Sequence, residues 1–147
     1  MNTSHDLMST VGDYSHALTT GQRAHALTTG NDAHALTTGN DAHATTAGYS
    51  AHATATGSDA HATTAGYSAH ALTTGYSAHA ATTGANSIAV AIGYNSSARA
   101  AAGGFIVLAQ YDGDTVVAVK TAQVGKDGIK PDTWYTLSPT GEFVEAE

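Results

Sequence analysis

A glycine recurs at every ninth position through ten successive units, and this period restricts the chain to a small set of folds. The unit reads G-x-x-[AS]-H-A-x-[TA]-x, and its glycines are Gly12, Gly21, Gly30, Gly39, Gly48, Gly57, Gly66, Gly75, Gly84 and Gly93. The glycine and the two residues after it have turn composition. The next six residues, rich in Thr and Ala with period-two order, favour a short strand, whereas a helix would be broken before its third turn. The sequence therefore predicts an all-β parallel solenoid, a β-roll of nonapeptide repeats.

The columns of the repeat differ in how much they vary. With the glycine as column zero, column five is alanine in every unit: Ala17, Ala26, Ala35, Ala44, Ala53, Ala62, Ala71, Ala80, Ala89 and Ala98. An alanine restriction this strict indicates another backbone packed close against that face. Columns four, six and eight also vary little, and only columns one and two are free. Because a lone thin solenoid leaves one constrained face unexplained, we expect a homotrimer in which the alanines press against a neighbouring subunit.

Column four holds a histidine in eight consecutive units: His16, His25, His34, His43, His52, His61, His70 and His79. Nine residues hardly close a turn that contains a six-residue strand, so we expect eighteen residues per coil. Equivalent imidazoles of stacked coils then lie about 4.8 Å apart as ladders.

Two interpretations of these ladders stay open. In the first, neutral imidazoles stack and hydrogen-bond as a structural ladder, helped by threonine hydroxyls such as those of Thr28 and Thr37. In the second, symmetry-related histidines converge near a threefold axis as metal or anion sites, although a column without carboxylates or thiolates is weak evidence for zinc. We predict the structural ladder, with no metal and no cofactor, and expect packing to lower the histidine pKa values.

The composition changes after the repeats and divides the chain into a lead-in (1–11), the repeats (12–101) and a tail (102–147). Four tail segments, "FIVLAQY", "TVVAVKTAQV", "TWYTL" and "EFVEA", favour strands. An aromatic-rich core is predicted from Phe105, Trp134, Tyr135, Leu137 and Phe143. A segment of about forty-five residues is small for an independent domain, so we expect an antiparallel β-meander that caps the last coil or locks the oligomer together.

Several classes of function are disfavoured by the composition. Twelve acidic residues against five basic ones, with no basic cluster, argue against binding to a nucleic-acid backbone. The chain contains no cysteine, and no catalytic triad or phosphate loop stands out, so we expect no enzyme activity. The start of the sequence lacks a signal-peptide pattern and no run of about eighteen apolar residues occurs. We therefore expect a protein that is cytoplasmic when synthesised and has no membrane partner.

Four tyrosines, Tyr49, Tyr67, Tyr76 and Tyr94, lie in the turn columns. An aromatic rank on the outer surface would suit the stacking of a sugar or a nucleobase. Exposed, solvated tyrosines without a ligand are the alternative.

The ninth and tenth units, "GANSIAVAIGYNSSARAAAG", depart from the others because Ile88 replaces histidine and Val90 follows on the same face. Residues 85–98 resemble the "NS-x-A-[VI]-G" head repeats of YadA-like trimeric autotransporter adhesins. The resemblance implies a left-handed parallel β-roll packed as three chains, with Ile88 and Val90 in the roll core and Ala89 at the interface between chains. The tail, beginning "GGFIVLAQYDG", resembles a segment that recurs after similar repeats in uncharacterised phage and bacterial proteins.

These features together predict a non-enzymatic trimeric structural or binding protein, encoded by a phage or prophage. It would present its repeat turns as a fibre or adhesin-like element and would be associated with the virion. The alternative is a cytoplasmic phage accessory protein that inhibits or sequesters a host defence component, either a protein or a nucleotide signal. The expected partners are further copies of the chain and a host protein, a glycan or a small nucleotide.

Overall fold

Short strands separated by glycine turns form a two-sheet parallel β-solenoid in the computed structural model, which describes residues 7–146. The strands are β1 (Leu7–Val11), β2 (His16–Thr20), β3 (His25–Thr29), β4 (His34–Thr38), β5 (His43–Ala47), β6 (His52–Thr56), β7 (His61–Ala65), β8 (His70–Thr74), β9 (His79–Thr82), β10 (Ile88–Ala91), β11 (Ser97–Arg99), β12 (Phe105–Asp112), β13 (Thr115–Gln123), β14 (Tyr135–Leu137) and β15 (Phe143–Glu145). The predicted all-β solenoid fold is confirmed.

Consecutive repeat strands alternate between two sheets. Sheet A has the order β1-β3-β5-β7-β9-β11-β14-β15, and sheet B has the order β13-β12-β10-β8-β6-β4-β2. Each strand pairs in parallel with the strand two units later, so that His16 lies opposite His34 and Ala17 opposite Ala35. One coil therefore contains two nonapeptides, or eighteen residues, as the length of the repeat predicts.

The interior of the solenoid is filled by the small columns of the repeat. The column-five alanines and the column-seven threonines are buried between the two sheets, with Ala62 and Thr64 both 0 % exposed. The expectation that the alanines press against a neighbouring subunit is therefore wrong. The backbone packed close against them is the opposite sheet of the same chain, and the thin interior leaves room only for small side chains.

The same reversal applies to the ninth unit. Ala89 is fully buried inside the roll, whereas Ile88 and Val90 point outward and are half-buried. The roles implied by the resemblance, with Ile88 and Val90 as roll core and Ala89 as interface, are thus wrong. Ile88 pairs with His70 and Ala89 with Ala71, so the unit keeps the register of the others, and the period-two alternation of a strand fixes its faces.

Stacked glycines and left-handed residues form the corners. Gly57 has φ +139°, and a Cβ added to it would collide with the carbonyl oxygen of Gly39 one coil earlier. Two residues later, column two adopts the left-handed conformation, as at Asp59 (φ 54°) and Asn95 (φ 55°). Asn and Asp tolerate this conformation better than most residues, and they occupy column two in five of the ten units.

The tail closes one end of the solenoid. Its four predicted strands are present as two antiparallel pairs: β12 and β13 end sheet B, and β14 and β15 end sheet A. Apolar side chains larger than those of the repeats fill this end of the interior: Ile106, Leu108, Val124, Ile129 and Tyr135 are buried, and Leu137 and Phe143 are partly buried against them.

Two residues of the predicted tail core lie elsewhere. Phe105 is 41 % exposed, because its pairing with Ile88 places it in the outward-facing register of sheet B. Trp134 lies on the outer side of sheet A, next to His79. The lead-in falls partly outside the described residues, and its last five residues form β1, which pairs with β3.

Candidate functional site

Two ladders of stacked histidines run along the outer faces of the solenoid. Ladder A, on sheet A, contains His25, His43, His61 and His79; ladder B, on sheet B, contains His16, His34, His52 and His70. Adjacent ring centroids are 4.7–5.0 Å apart, and the interplanar angles are 1–28°. The eight histidines thus lie at the strand spacing expected for equivalent residues of successive coils.

Hydrogen bonding does not run along these ladders. Within residues 7–146, the ladder imidazole that takes part in a hydrogen bond is His79, whose Nδ1 is 2.5 Å from Ser97 Oγ. Thr28 and Thr37 are fully buried on the inner face of their strands, opposite the histidines. The expectation that their hydroxyls assist the imidazoles is wrong, because successive residues of a strand point to opposite faces.

Burial and neighbouring imidazoles depress the basicity of the inner ladder positions. The pKa of His43 is lowered from its ordinary value first by burial and then by the nearby His61 and His25, and Asp41 partly offsets this effect. Burial is also the largest cause of the lowered pKa of three further histidines: His52, His61 and His79. These rings are therefore predominantly neutral at pH 7.

The two ladders end differently at the tail. Ladder A ends at Trp134, whose ring packs edge-on against His79 with 5.3 Å between ring centroids. The guanidinium carbon of Arg99 lies over the same tryptophan ring, 4.7 Å from its centroid. Ladder B continues instead into Ile88 and Phe105. Sequence reasoning missed the position of Trp134. The replacement of histidine by Ser97 in the last unit was the available sign that ladder A ends at a distinct environment.

Two neighbouring cavities lie where the tail meets the last coils. The tryptophan cavity has a volume of about 570 Å³ and is lined by His61, Ser77, His79, Asn95, Ser97, Trp134, Thr136 and Ala146. The tyrosine cavity has a volume of about 200 Å³ and is lined by Tyr94, Asn95, Ser96, Ala109, Tyr111, Thr136, Leu137, Ser138 and Pro139. Because Asn95 and Thr136 line both, the two cavities adjoin, and within the described part of the chain neither is lined by a Lys, Arg, Asp or Glu side chain.

The four candidate tyrosines form two stacked pairs on different corners. Tyr49 and Tyr67 stack at 5.5 Å on the corner that leads into sheet B, and Tyr76 and Tyr94 stack at 5.5 Å on the corner that leads into sheet A. Tyr94 also meets the ring of Tyr111 edge-on at 5.5 Å. The structure therefore places Tyr94 in the lining of the tyrosine cavity with Tyr76 stacked on it, whereas neither ring of the first pair lines a cavity of the tail.

The arrangement offers aromatic faces, hydroxyls, an amide and neutral imidazoles. Residues 7–146 bring together no group of three or more His, Asp or Glu side chains placed to hold a metal ion. In the same part of the chain, no helix has the length and apolar character needed to cross a membrane. No protein-family model, curated protein or solved structure matches the chain, so the chemistry available to the site is that of its own side chains.

Proposed function

We propose that the protein is a non-enzymatic structural and binding element that works as a homotrimer and presents its turns and its tail to a target. The observation that carries this proposal is the restriction of the outer faces. Column four stays histidine through eight units although His16, His25 and His34 are exposed to solvent in the single chain. The chain fills its own interior, so the core does not account for this restriction. Ring stacking along the ladders and contact with other subunits both supply a reason.

Sheet B has the more apolar outer face and is the better candidate for the contact between subunits. In successive coils its column six carries Leu18, Leu36, Thr54, Leu72, Val90 and Val107. The same column of sheet A carries Leu27, Thr45, Thr63, Ala81 and Arg99. Removing an exposed apolar column from water favours association, and three subunits packed along sheet B would leave sheet A and the corners free.

The resemblance to YadA-like heads supports the same assembly. A parallel roll with nine-residue units is compatible with those heads, and the apolar unit around Ile88 and Val90 lies on sheet B. We extend the resemblance to three-chain packing, with the outward Ile88 and Val90 at the contact between chains. The tail segment supports a phage or prophage origin and a role as a fibre or adhesin-like element.

Native mass spectrometry of the purified chain tests the assembly, because it reports the subunit number directly. We expect three copies at micromolar concentration. A folded single-chain particle at that concentration would rule the trimer out.

A matched pair of variants tests the face. Leu36 and Leu27 occupy the same column of two identical "HALTT" strands and are 40 % and 38 % exposed, but they lie on different sheets. Leu36→Glu would bring three carboxylates together at the proposed contact and is expected to give single chains, whereas Leu27→Glu keeps the trimer. Equal behaviour of the two variants would show that sheet B is not the interface.

A second candidate function is sequestration of a small host signal by a cytoplasmic phage accessory protein. The tryptophan cavity favours it, because its volume of about 570 Å³ falls within the range of roughly 300–1,000 Å³ that is typical of small-molecule sites. The two functions differ in location. A fibre element co-purifies with phage particles, whereas a sequestering protein carries a stoichiometric small molecule or host protein out of an infected-cell lysate.

A further inference from the structure

We propose that the two adjoining cavities at the tail form a binding site for a neutral oligosaccharide. This inference rests on the proposed function as a binding element and names the class of its ligand. The site comprises the stacked pair Tyr76 and Tyr94 with the tryptophan and tyrosine cavities, which share Asn95 and Thr136.

The position of the site follows from where the repeat ends. Along the nonapeptides each coil presents nearly the same outer surface, so a ligand would meet a series of almost equivalent places. At the tail the series stops: Ser97 replaces histidine, and Trp134 and Tyr111 approach from outside the repeat. A concave and unique surface exists there because side chains of the repeat and of the tail converge.

The uncharged lining favours a neutral ligand. Among residues 7–146, no Lys, Arg, Asp or Glu side chain lines either cavity, and the nearby Arg99 lies against the ring of Trp134. A phosphate or a carboxylate in this place would find no lining cation, and the chain carries a net charge of −7 that repels anions. A nucleotide is therefore disfavoured relative to a neutral polyol.

The remaining groups match the two surfaces of a pyranose. Sugars present an apolar C–H face, which packs on aromatic rings, and a rim of hydroxyls, which pair with amides and hydroxyls. Tyr94 is 45 % exposed and offers ring surface beside the tyrosine cavity. Asn95 and Thr136 offer hydrogen-bonding groups to both cavities, and Ser77, whose hydroxyl oxygen accepts a hydrogen bond from the Asn95 amide at 3.3 Å, lines the tryptophan cavity.

The length of the site indicates more than one sugar unit. Tyr76 and Tyr94 stack one coil apart, Tyr111 follows Tyr94 at 5.5 Å, and the tryptophan cavity lies on the other side of Asn95. Two adjoining cavities with a row of partly exposed tyrosine rings beside them fit a short chain of linked sugars better than a single monosaccharide.

Trp134 is the one tryptophan of the chain, so its fluorescence reports on this site alone. The experiment titrates the full chain with a panel of neutral tetrasaccharides built from glucose, galactose, mannose or N-acetylglucosamine. Sialylated and sulfated oligosaccharides and mononucleotides are titrated in parallel. We expect a saturable change in emission with at least one neutral sugar and none with the anionic compounds. Saturation by a nucleotide or an acidic sugar instead, or no response to any neutral member of the panel, would overturn the proposal.

Matched variants separate this site from aromatic surface in general. Tyr94→Ala is expected to weaken sugar binding by about tenfold, the loss of one good stacking contact. Tyr49→Ala removes the equivalent ring of the other stacked pair, which lies away from the tail, and is expected to leave the affinity unchanged. Equal effects of the two substitutions would overturn the assignment of the site.

A second variant controls for the case in which Tyr94→Ala lowers sugar binding by disturbing the fold. Asn95→Gly removes the shared amide but keeps a residue suited to the left-handed φ of 55°, and it is also expected to weaken binding. Native mass spectrometry of each sample reports the subunit number. A variant that loses sugar binding but stays trimeric supports the site. A wild-type trimer that binds no neutral sugar argues against the sugar site alone, whereas a single-chain wild-type protein that still binds sugar argues against the trimer alone.

Discussion

The inner and outer faces of the repeat strands are almost equally uniform in sequence, yet different physical causes make them so. Ala62 faces the opposite sheet and is fully buried, whereas its neighbour His61 faces outward in a stack of imidazoles. The inner face is uniform because no larger side chain fits between the sheets. The outer face is uniform although space is available. Low variability in a column therefore indicates close contact but does not indicate which molecule supplies it.

The largest expected difference between the two faces comes from placing the same side chain on each. Ala62→Leu forces three extra carbon atoms between the sheets and is expected to lower the free energy of unfolding by about 3 kcal/mol. His61→Leu, one residue earlier, adds no volume to the interior and is expected to change it by about 0.5 kcal/mol. Urea denaturation at a fixed protein concentration measures both. Similar midpoints for the two variants would contradict the assignment of inside and outside.

The period and composition of the repeat were enough to predict the solenoid and the eighteen-residue coil, and the composition of the tail segments was enough to predict the four tail strands. The sequence did not determine which face of each strand points into the solenoid, because period-two alternation defines two faces without saying which is inside. Placing Ile88 and Val90 inside follows the usual preference for apolar cores. In this chain the interior is too thin for them, and that thinness is a property of the stacked coils rather than of any single unit.

The candidate site was predicted only in its components. The histidine and tyrosine columns were visible in the sequence, but the pairing of Tyr76 with Tyr94 at the tail depends on alternate units occupying different corners. Trp134 was assigned to the core because large aromatic residues of a small tail usually pack there. Its contact with His79 joins residues 55 positions apart in the chain, and no local pattern encodes that contact.

Glycine-to-alanine variants are expected to lower the free energy of unfolding by a smaller amount. They test whether stability also depends on the close stacking of successive coils at the corners. Gly57→Ala adds a Cβ at φ +139° that would collide with the carbonyl oxygen of Gly39. We expect a loss of about 2 kcal/mol, from the strained backbone together with the collision. Gly12→Ala has a similar φ of +131° but its Cβ meets no atom of residues 7–146 within 4 Å, so about 1 kcal/mol is expected from the backbone alone.

The difference between these two glycine variants measures the cost of separating successive coils at a corner. Urea denaturation of both proteins gives this difference, with the wild type as reference. Equal losses would mean that the corner glycines are required only for their backbone conformation. The close stacking of carbonyl groups would then contribute nothing to the uniformity of the glycine column.

The smallest expected effect per residue is the contribution of each ladder histidine on the outer face to the free energy of unfolding, and it depends on pH. Burial lowers the pKa values of His43, His52, His61 and His79 in the folded chain, and neighbouring imidazoles lower those of His43, His52 and His61 further. Above the ordinary histidine pKa both the folded and unfolded chains hold these rings neutral, and stability is complete. As the pH falls, the unfolded chain takes up protons first, so stability is lost between about pH 7 and pH 5.

Thermal melts across this pH range measure the loss of stability. Each half-exposed ring contributes little, but the contributions of the ladder histidines add together. Asp41, Asp59 and Asp32 lie near these rings and reduce the shift, so the decline should be gradual. In the double variant His43→Thr/His61→Thr, threonine replaces two inner rings of ladder A, and the melting temperature should depend less on pH. Tyr49→Ala, which changes no ladder residue, should keep the wild-type profile. A double variant that also keeps that profile would place the pH-dependent groups outside ladder A, because His43 and His61 are two of the four rings whose pKa values are lowered by burial.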